Sequence, residues 1–408
     1  MLFARFARKV IETGRLTVID AHGRRHVVGD TDTPAATIRL RDKALHHRLA
    51  LNPYLYIGEA YMDGTLTIEQ GSLYDFVDIC AVNCDSAFEQ PLTRTRDVVA
   101  RVLRYLHQYN PVPRARANVA HHYDLSDRLY DLFLDSDRQY SCGYFTHRHN
   151  DLDLAQLDKK RHIAAKLLLR PGQRVLDIGS GWGGLALYLA EAGGCEVVGI
   201  TLSEEQLKAS RQRADRAGLA HRVQFHLRDY REQTGRFDRI VSVGMFEHVG
   251  VNHYPRFFAK IRELLTEDGV ALLHSIGRMD GPGATNEWIR KYIFPGGYSP
   301  ALSEVLPTVE RQKLWVTDVE LLRLHYAETV RCWRERFAAN RAEIAKLYDE
   351  RFCRMWEFYL VSSELAFRKM GHMVFQMQLA KRQDAVPLTR DYLTDWERQH
   401  LGPAMAAE

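Results

Sequence analysis

The sequence predicts an α/β chain, a doubly wound Rossmann-like domain preceded by a smaller N-terminal α+β domain. Three observations lead there. Short apolar runs at Arg174–Ile178, Glu196–Thr201, Val223–Leu227, Arg239–Val243 and Val270–Ile276 alternate with helical patterns at Gly184–Ala192, Glu204–Ala217 and Tyr254–Leu265. Strands covered on both faces read as continuous apolar runs, and their alternation with helices is what parallel crossover units require. Second, VLDIGSGWGG (Val175–Gly184) passes from a strand through glycines into a helix. Third, 408 residues, at about 150 per domain, leave room for a further unit.

In that first unit, the stretch around Gly23 reads as two short strands, Leu16, Val18 and Ile19 followed by His26, Val27 and Val28. Helical patterns follow at Leu73–Ala81 and Val98–His107, and Asn110-Pro111-Val112-Pro113-Arg114 breaks regular structure as a linker. The expected division is residues 1–115 as a lipid-, membrane- or dimer-contacting domain, 116–390 as the catalytic domain with helical acyl-binding insertions, and 391–408 as a tail. Within the second domain, the Gly- and Pro-rich stretch from Gly277 to Pro300 carries Trp288, Tyr292, Ile293 and Phe294 and is expected to cover a site. Helices are expected from about Val319 to Lys369, then a closing strand His372–Leu379.

Composition narrows the function. The chain is 46% hydrophobic and 26% charged, with a net charge of +4, too little to argue for nucleic acid. The Arg-rich stretch Arg94–Arg104 lacks interleaved stacking aromatics and reads as a solvated helix face. The six cysteines form no CxxC pair, so reduced cytosolic thiols and no metal site are expected. No apolar window reaches the roughly 18 residues of a membrane span. Arg5, Arg8 and Lys9 interrupt the apolar run of MLFARFARKVIETG, which is therefore not read as a secretory signal. As a helix, it puts Phe3, Phe6 and Val10 on one side, which fits either an anionic membrane surface or packing on its own domain.

By spacing alone the glycine loop is ambiguous, because Gly179, Gly181 and Gly184 also satisfy the dinucleotide pattern G-x-G-x-x-G. Asp177 is placed to anchor a ligand's ammonium group. The following strand ends in Gly199-Ile200-Thr201-Leu202-Ser203, without the acid that a dinucleotide ribose requires at its tip, although Glu204 is near. These details favour S-adenosylmethionine.

From Ala117 to about Lys381 the chain resembles the cyclopropane-fatty-acyl-phospholipid synthases and the mycolic acid cyclopropane synthases. The resemblance is carried by HHYDLSDRLYDLFLD, QYSCGYF, LDIGSGWGG, GITLSEEQ, FEHVG, LLHSIG, KYIFPGG, HYAETVRCW and RMWEFYL, in that order. AYMDG is similar to the N-terminal domain of the phospholipid-acting members. The resemblance implies a class I methyltransferase fold. It implies that Tyr140, Ser141, Gly179 and Gly181 contact the methionine end of the cofactor, that Thr201, Leu202 and Gln206 hold the ribose, and that Asp229 and Tyr230 lie near the adenine. It further implies a bicarbonate ion beside the transferred methyl, held by Cys142, Glu247, His274, Tyr359 and the backbone at Ile276.

An alkene is a weak nucleophile, so its acceleration rests on positioning in a water-poor pocket, with aromatic faces such as Tyr359 beside the resulting cation. A base must then remove a proton from the added methyl before a ring can close. Taken singly, Cys142 reads as packing, His274 as a structural histidine and Glu247 as the start of a helix; together, at strand carboxyl ends, they read as a site. The expected substrate is an unsaturated phospholipid met at the inner membrane face by a cytoplasmic, peripherally bound enzyme, with a homodimer allowed. Alternatives are a methyl- or methylene-branched product, a small-molecule N-methyltransferase, and a non-catalytic lipid-binding protein.

Overall fold

The computed structural model describes residues 1–111, 125–147 and 149–400. Residues 112–114 of the expected linker, the HHYD of the first family motif and residues 401–408 of the tail lie outside the described residues. The chain divides into two units, and the first is discontinuous in sequence: Met1–Leu106, Gly283–Pro295 and Ala327–His372.

The first unit is built on a mixed four-stranded sheet. Its strands are β1 (Arg15–Ile19), β2 (Arg25–Val28), β3 (Ala35–Leu40) and β4 (Leu66–Gln70), in the order β2-β1-β3-β4. The pair around Gly23 is an antiparallel hairpin; β3 runs parallel to β1, and β4 antiparallel to β3. Phe3, Ala4, Ala7 and Val10 are buried, so the N-terminal helix Leu2–Val10 turns its apolar stripe into its own unit, and the membrane-surface reading of that helix is set aside. The helix Leu73–Val82 starts with a reciprocal cap: Asp75 N donates to Ser72 Oγ (3.1 Å) and Ser72 N donates to Asp75 Oδ2 (2.8 Å). The long helix Glu350–Lys369 packs on it and on Pro53–Met62.

The second unit holds a seven-stranded sheet. Its strands are β5 (Arg174–Ile178), β6 (Glu196–Thr201), β7 (Val223–Leu227), β8 (Phe237–Val243), β9 (Leu265–Arg278), β10 (Trp315–Leu321) and β11 (His372–Ala380), in the order β10-β11-β9-β8-β5-β6-β7. The five strands from β9 to β7 are parallel, as the apolar runs require. Successive residues point to opposite faces. Val175, Val241 and Leu272 thus join one core with Leu185 and Leu189, while Leu176, Ile240 and Leu273 join the other with Phe257 and Phe258. From β5 the chain winds outward to β6 and β7, then returns to β8 on the other side of β5. This reversal opens a crevice at the strand carboxyl ends.

One element differs from expectation. Val319 lies in a strand, because Trp315–Leu321 pairs antiparallel with β11 at the sheet edge; the helices begin only at His325. No helix among the described residues is long and apolar enough to cross a membrane, and all six cysteines are free thiols.

Asp391–Gln399 forms a helix that docks on the helix Leu152–Lys166. There His162 Nδ1 meets Glu397 Oε1 (2.6 Å) and Nε2 meets Glu320 Oε2 (2.7 Å), while Lys166 Nζ also reaches Glu320 (2.5 Å). A ring with a carboxylate on each nitrogen must be doubly protonated. Burial lowers the pKa of His162, but the two carboxylates outweigh it and the net shift is upward. Burial likewise raises that of Glu320, yet its bond to His162 and the charges of His162 and Lys166 bring it down to about 2. The raised histidine stabilises the fold fully below its ordinary pKa and loses that contribution as pH rises through the folded value. The lowered glutamate contributes above its ordinary pKa and loses its share as pH falls towards 2. His162→Gln is therefore expected to destabilise the chain by about 2 kcal/mol near pH 6. Thermal denaturation across pH should show that gap narrowing above pH 7; a gap independent of pH would remove the charge from His162.

Candidate functional site

β5 ends at Ile178 and the chain turns through Gly179–Gly183 into the helix Gly184–Gly193. Gly179 has φ +85° and a Cβ there would stand 2.9 Å from Met245 Cβ; at Gly181, φ +52°, nothing lies within 4 Å. Backbone packing requires the first glycine, and the second faces open space. The amides of Gly179 and Ser180 both donate to the carbonyl of Ile200 (2.9 and 3.0 Å). At these two residues the turn supplies room rather than hydrogen-bond donors.

The space beside this turn is a cavity at the carboxyl ends of β5, β6 and β8. Tyr140, Ser141, Asp177, Gly179, Gly181, Thr201, Leu202, Gln206, Asp229 and Tyr230 all line it. The lining also includes Trp182 and His248, which lie inside the motifs LDIGSGWGG and FEHVG without an assigned role, and Met245 and Arg231, which no motif marked. Each wall has a local cause. Ser203 caps the helix Glu204–Arg216 through Gln206 N, and Thr201 Oγ1 donates to Gln206 Oε1 (2.9 Å), so the strand tip and the helix start are tied together. Asp229 accepts from Arg231 on both oxygens, with Nε and Nη2 each at 2.7 Å. Tyr230 lies edge-on to Phe257 with ring centroids 5.3 Å apart. Tyr140 is wedged against Tyr130 and Phe133.

A second group lies alongside. In register, His274 on β9 stands opposite Val243, and its carbonyl accepts from Gly244 N (3.0 Å); both Val243 and Gly244 line the cavity. Glu247 sits in a one-turn helix, Phe246–His248, and Oε1 accepts the amide of Ile276 (2.6 Å). That amide is thereby committed to Glu247, and Ile276 acts on the site by holding the carboxylate. Glu247 Oε2 is buried without a hydrogen-bond partner among the described residues. Cys142 directly follows the cavity residue Ser141, is buried, and directs its thiol to the Gly143 carbonyl (3.2 Å). None of these side chains lines the cavity itself. Tyr359 belongs to the first unit, buried on the helix Glu350–Lys369 between Phe294 and Trp356. Trp288 and Ile293 are buried in that unit too; Trp288 donates to Met62 Sδ (3.1 Å) and packs on Phe358, a core position rather than an exposed guide for a ligand.

Burial dominates the electrostatics. It raises Glu247 to about 7, against the opposing effect of the Ile276 amide. It lowers His274 to about 3, helped by the positive charges of Lys159 and Lys166, so the ring is neutral. Gln376 Nε2 lies 3.2 Å from His274 Nδ1. Because an amide nitrogen only donates, Nδ1 accepts and the ring proton sits on Nε2. Asp177 is raised to about 7 by burial, partly offset by Lys159, and its Oδ2 has no hydrogen-bond partner among the described residues. A cationic ligand group would supply that missing partner. Lys159 is fully buried, which lowers it to about 8 despite the charge of Asp135; its ammonium donates to Gln139 Oε1 (2.7 Å) and Ser141 Oγ (2.9 Å). This lysine positions the loop that carries Tyr140, Ser141 and Cys142.

The family model described as mycolic acid cyclopropane synthetase matches residues 112–377, and one described as a domain of unknown function matches residues 9–91. The chain is 36% identical over 389 residues to a tuberculostearic acid methyltransferase of Mycobacterium tuberculosis, covering 90% of this chain and 88% of the relative. It is 36% identical over 348 residues to a cyclopropane-fatty-acyl-phospholipid synthase of Escherichia coli, covering 85% and 88%. A solved mycolic acid cyclopropane synthase complexed with SAH and CTAB aligns with a TM-score of 0.63 at 33% identity, over 67% of this chain and 99% of that one.

Gly179→Val would combine a disfavoured φ with a clash on Met245. It is expected to weaken S-adenosylmethionine binding by on the order of 100-fold or more in calorimetric titration, with helix content unchanged. Retained affinity would refute the cavity as the cofactor site.

Proposed function

The chain belongs to the mycolic acid cyclopropane synthetase family, and from that premise we propose that it adds the methyl carbon of S-adenosylmethionine across the cis double bond of an unsaturated phospholipid acyl chain, closing a cyclopropane ring. It is an S-adenosylmethionine-dependent methyltransferase of lipid acyl chains. The observation that supports the finer reading is one juxtaposition. A cavity lined by all ten residues expected to hold the cofactor adjoins, across β8 and β9, a buried Glu247–Ile276 contact and a neutral His274.

Bound S-adenosylmethionine supplies an electrophilic methyl group. Gly181 leaves space for it, and the unpartnered Asp177 Oδ2 would accept its ammonium, which would draw the carboxyl back towards its ionised form. The reacting alkene would have to be kept from water, which would otherwise trap the cation as an alcohol. A bicarbonate ion would be held by the His274 Nε2–H and Glu247, with Cys142 added by the resemblance, and would supply the base for the surplus proton. Glu247, near its midpoint at neutral pH, can take the ion's hydroxyl hydrogen only when ionised. Ile276 keeps that carboxylate aimed, and Gln376 fixes the histidine tautomer.

A methyl- or methylene-branched product is the second reading. It is favoured by the 36% identity over 389 residues to the tuberculostearic acid methyltransferase.

Glu247→Gln is expected to bind S-adenosylmethionine normally and to lose on the order of 100-fold in turnover. Wild-type turnover should rise as pH passes through about 7, and the variant's profile should be flat there. Normal turnover in Glu247→Gln would end the assigned role. Lipid mass spectrometry of cells expressing the chain should show unsaturated acyl chains heavier by one CH2, and NMR should reveal ring protons. A branched methyl signal instead would select the second reading, and unaltered lipids would refute both.

A further inference from the structure

The helix Pro91–His107 falls between the two family matches, which end at residue 91 and resume at 112. Eighteen large apolar side chains are exposed among the described residues, and six of them stand on this helix: Val98, Val99, Val102, Leu103, Tyr105 and Leu106. Val102 and Leu106 are each 68% exposed. Val98, Val102 and Leu106 recur every four residues, and Val99 and Tyr105 flank them, so they form one stripe. Exposed apolar residues scattered singly need no explanation, whereas a contiguous stripe marks an interaction surface.

Charge selects the partner. The same segment carries Arg94, Arg96, Arg101 and Arg104 against a single acid, Asp97. Arg96 is paired with Glu287 (2.9 Å), and Arg104 lies over the Tyr105 ring at 4.9 Å while donating to its hydroxyl (3.1 Å). Arg94 and Arg101 are exposed. Seven residues apart, they sit along one border of the apolar stripe. A second copy of the helix would bring like charges together. An anionic lipid surface would attract them and at the same time cover the apolar stripe, and the tyrosine suits the headgroup level.

We propose that the exposed face of the helix Pro91–His107 docks the protein on anionic phospholipid bilayers, with Val98, Val102 and Leu106 inserted below the headgroups and Arg94 and Arg101 at the phosphates. The proposal deepens the function proposed above and rests on its reading of the substrate as a bilayer phospholipid.

Co-sedimentation of the full chain with phosphatidylcholine vesicles, with and without phosphatidylglycerol, tests it. The wild type is expected to bind the anionic vesicles at least about tenfold more tightly than the neutral ones. Val102→Asp/Leu106→Asp should lose on the order of tenfold or more on both. Arg94→Gln/Arg101→Gln should lose about fivefold per arginine, on anionic vesicles only. Both variants should keep the wild-type melting temperature and S-adenosylmethionine affinity, and should keep methyl transfer to detergent-dispersed lipid while losing it on vesicles. Vesicle binding undiminished in Val102→Asp/Leu106→Asp overturns the proposal. So does a change of oligomeric state by light scattering with vesicle binding intact, which would make the face a contact between copies. A wild type that binds vesicles as expected but transfers no methyl carbon leaves the docking face standing and removes the proposed function instead.

Discussion

Desolvation at the carboxyl ends of the parallel strands shifts three titratable groups in and beside the cavity, Asp177, Glu247 and His274. Asp177 and Glu247 are pushed up to about 7 and His274 is driven down to about 3, in each case chiefly by burial. The groups that oppose burial are the Ile276 and Glu247 amides and the Ser275 hydroxyl on Glu247, Lys159 on Asp177, and Glu320 on His274. An interior that excludes water cannot hydrate its own carboxylates. The dryness and the unusual protonation states are one property.

The sheet topology explains why these groups meet. β8 returns beside β5 after the chain has wound outward to β7, and the reversal leaves a gap that no crossover helix covers. The glycine turn after β5, the tip of β6 and the one-turn helix after β8 all face that gap. Other side chains then hold the walls and the group beside them. Lys159 secures the 139–141 loop, Arg231 occupies Asp229, and Gln376 on β11 orients His274. Losing Lys159 would displace Tyr140 and Ser141 in the cavity wall, and losing Gln376 would release His274 beside it.

The first unit shows how two apolar helix faces acquire different roles. The N-terminal helix, with Phe3 and Val10 on one side, looks from its own residues as suited to a membrane as the helix Pro91–His107. Packing decides between them: the first stripe is buried within the unit, and the second is exposed. The arginines that read as a solvated face do border solvent, but the apolar stripe beside them is exposed as well.

Local pattern was enough to specify five parallel strands, the glycine turn and Asp177, because apolar runs and glycine spacing are properties of short contiguous segments; the other cavity residues, Tyr140, Ser141, Thr201, Leu202, Gln206, Asp229 and Tyr230, came from the resemblance to a family. Tertiary structure alone decided the rest. Trp315–Leu321 became a strand only through its partner β11, and Gln376 joined the site across 102 residues of sequence. Residues 283–295 and 327–372 returned to the first unit rather than staying with the sheet that precedes them. Their amphipathic periodicity states that one face is to be buried; which surface buries it depends on long-range packing, and no neighbouring residue encodes that choice.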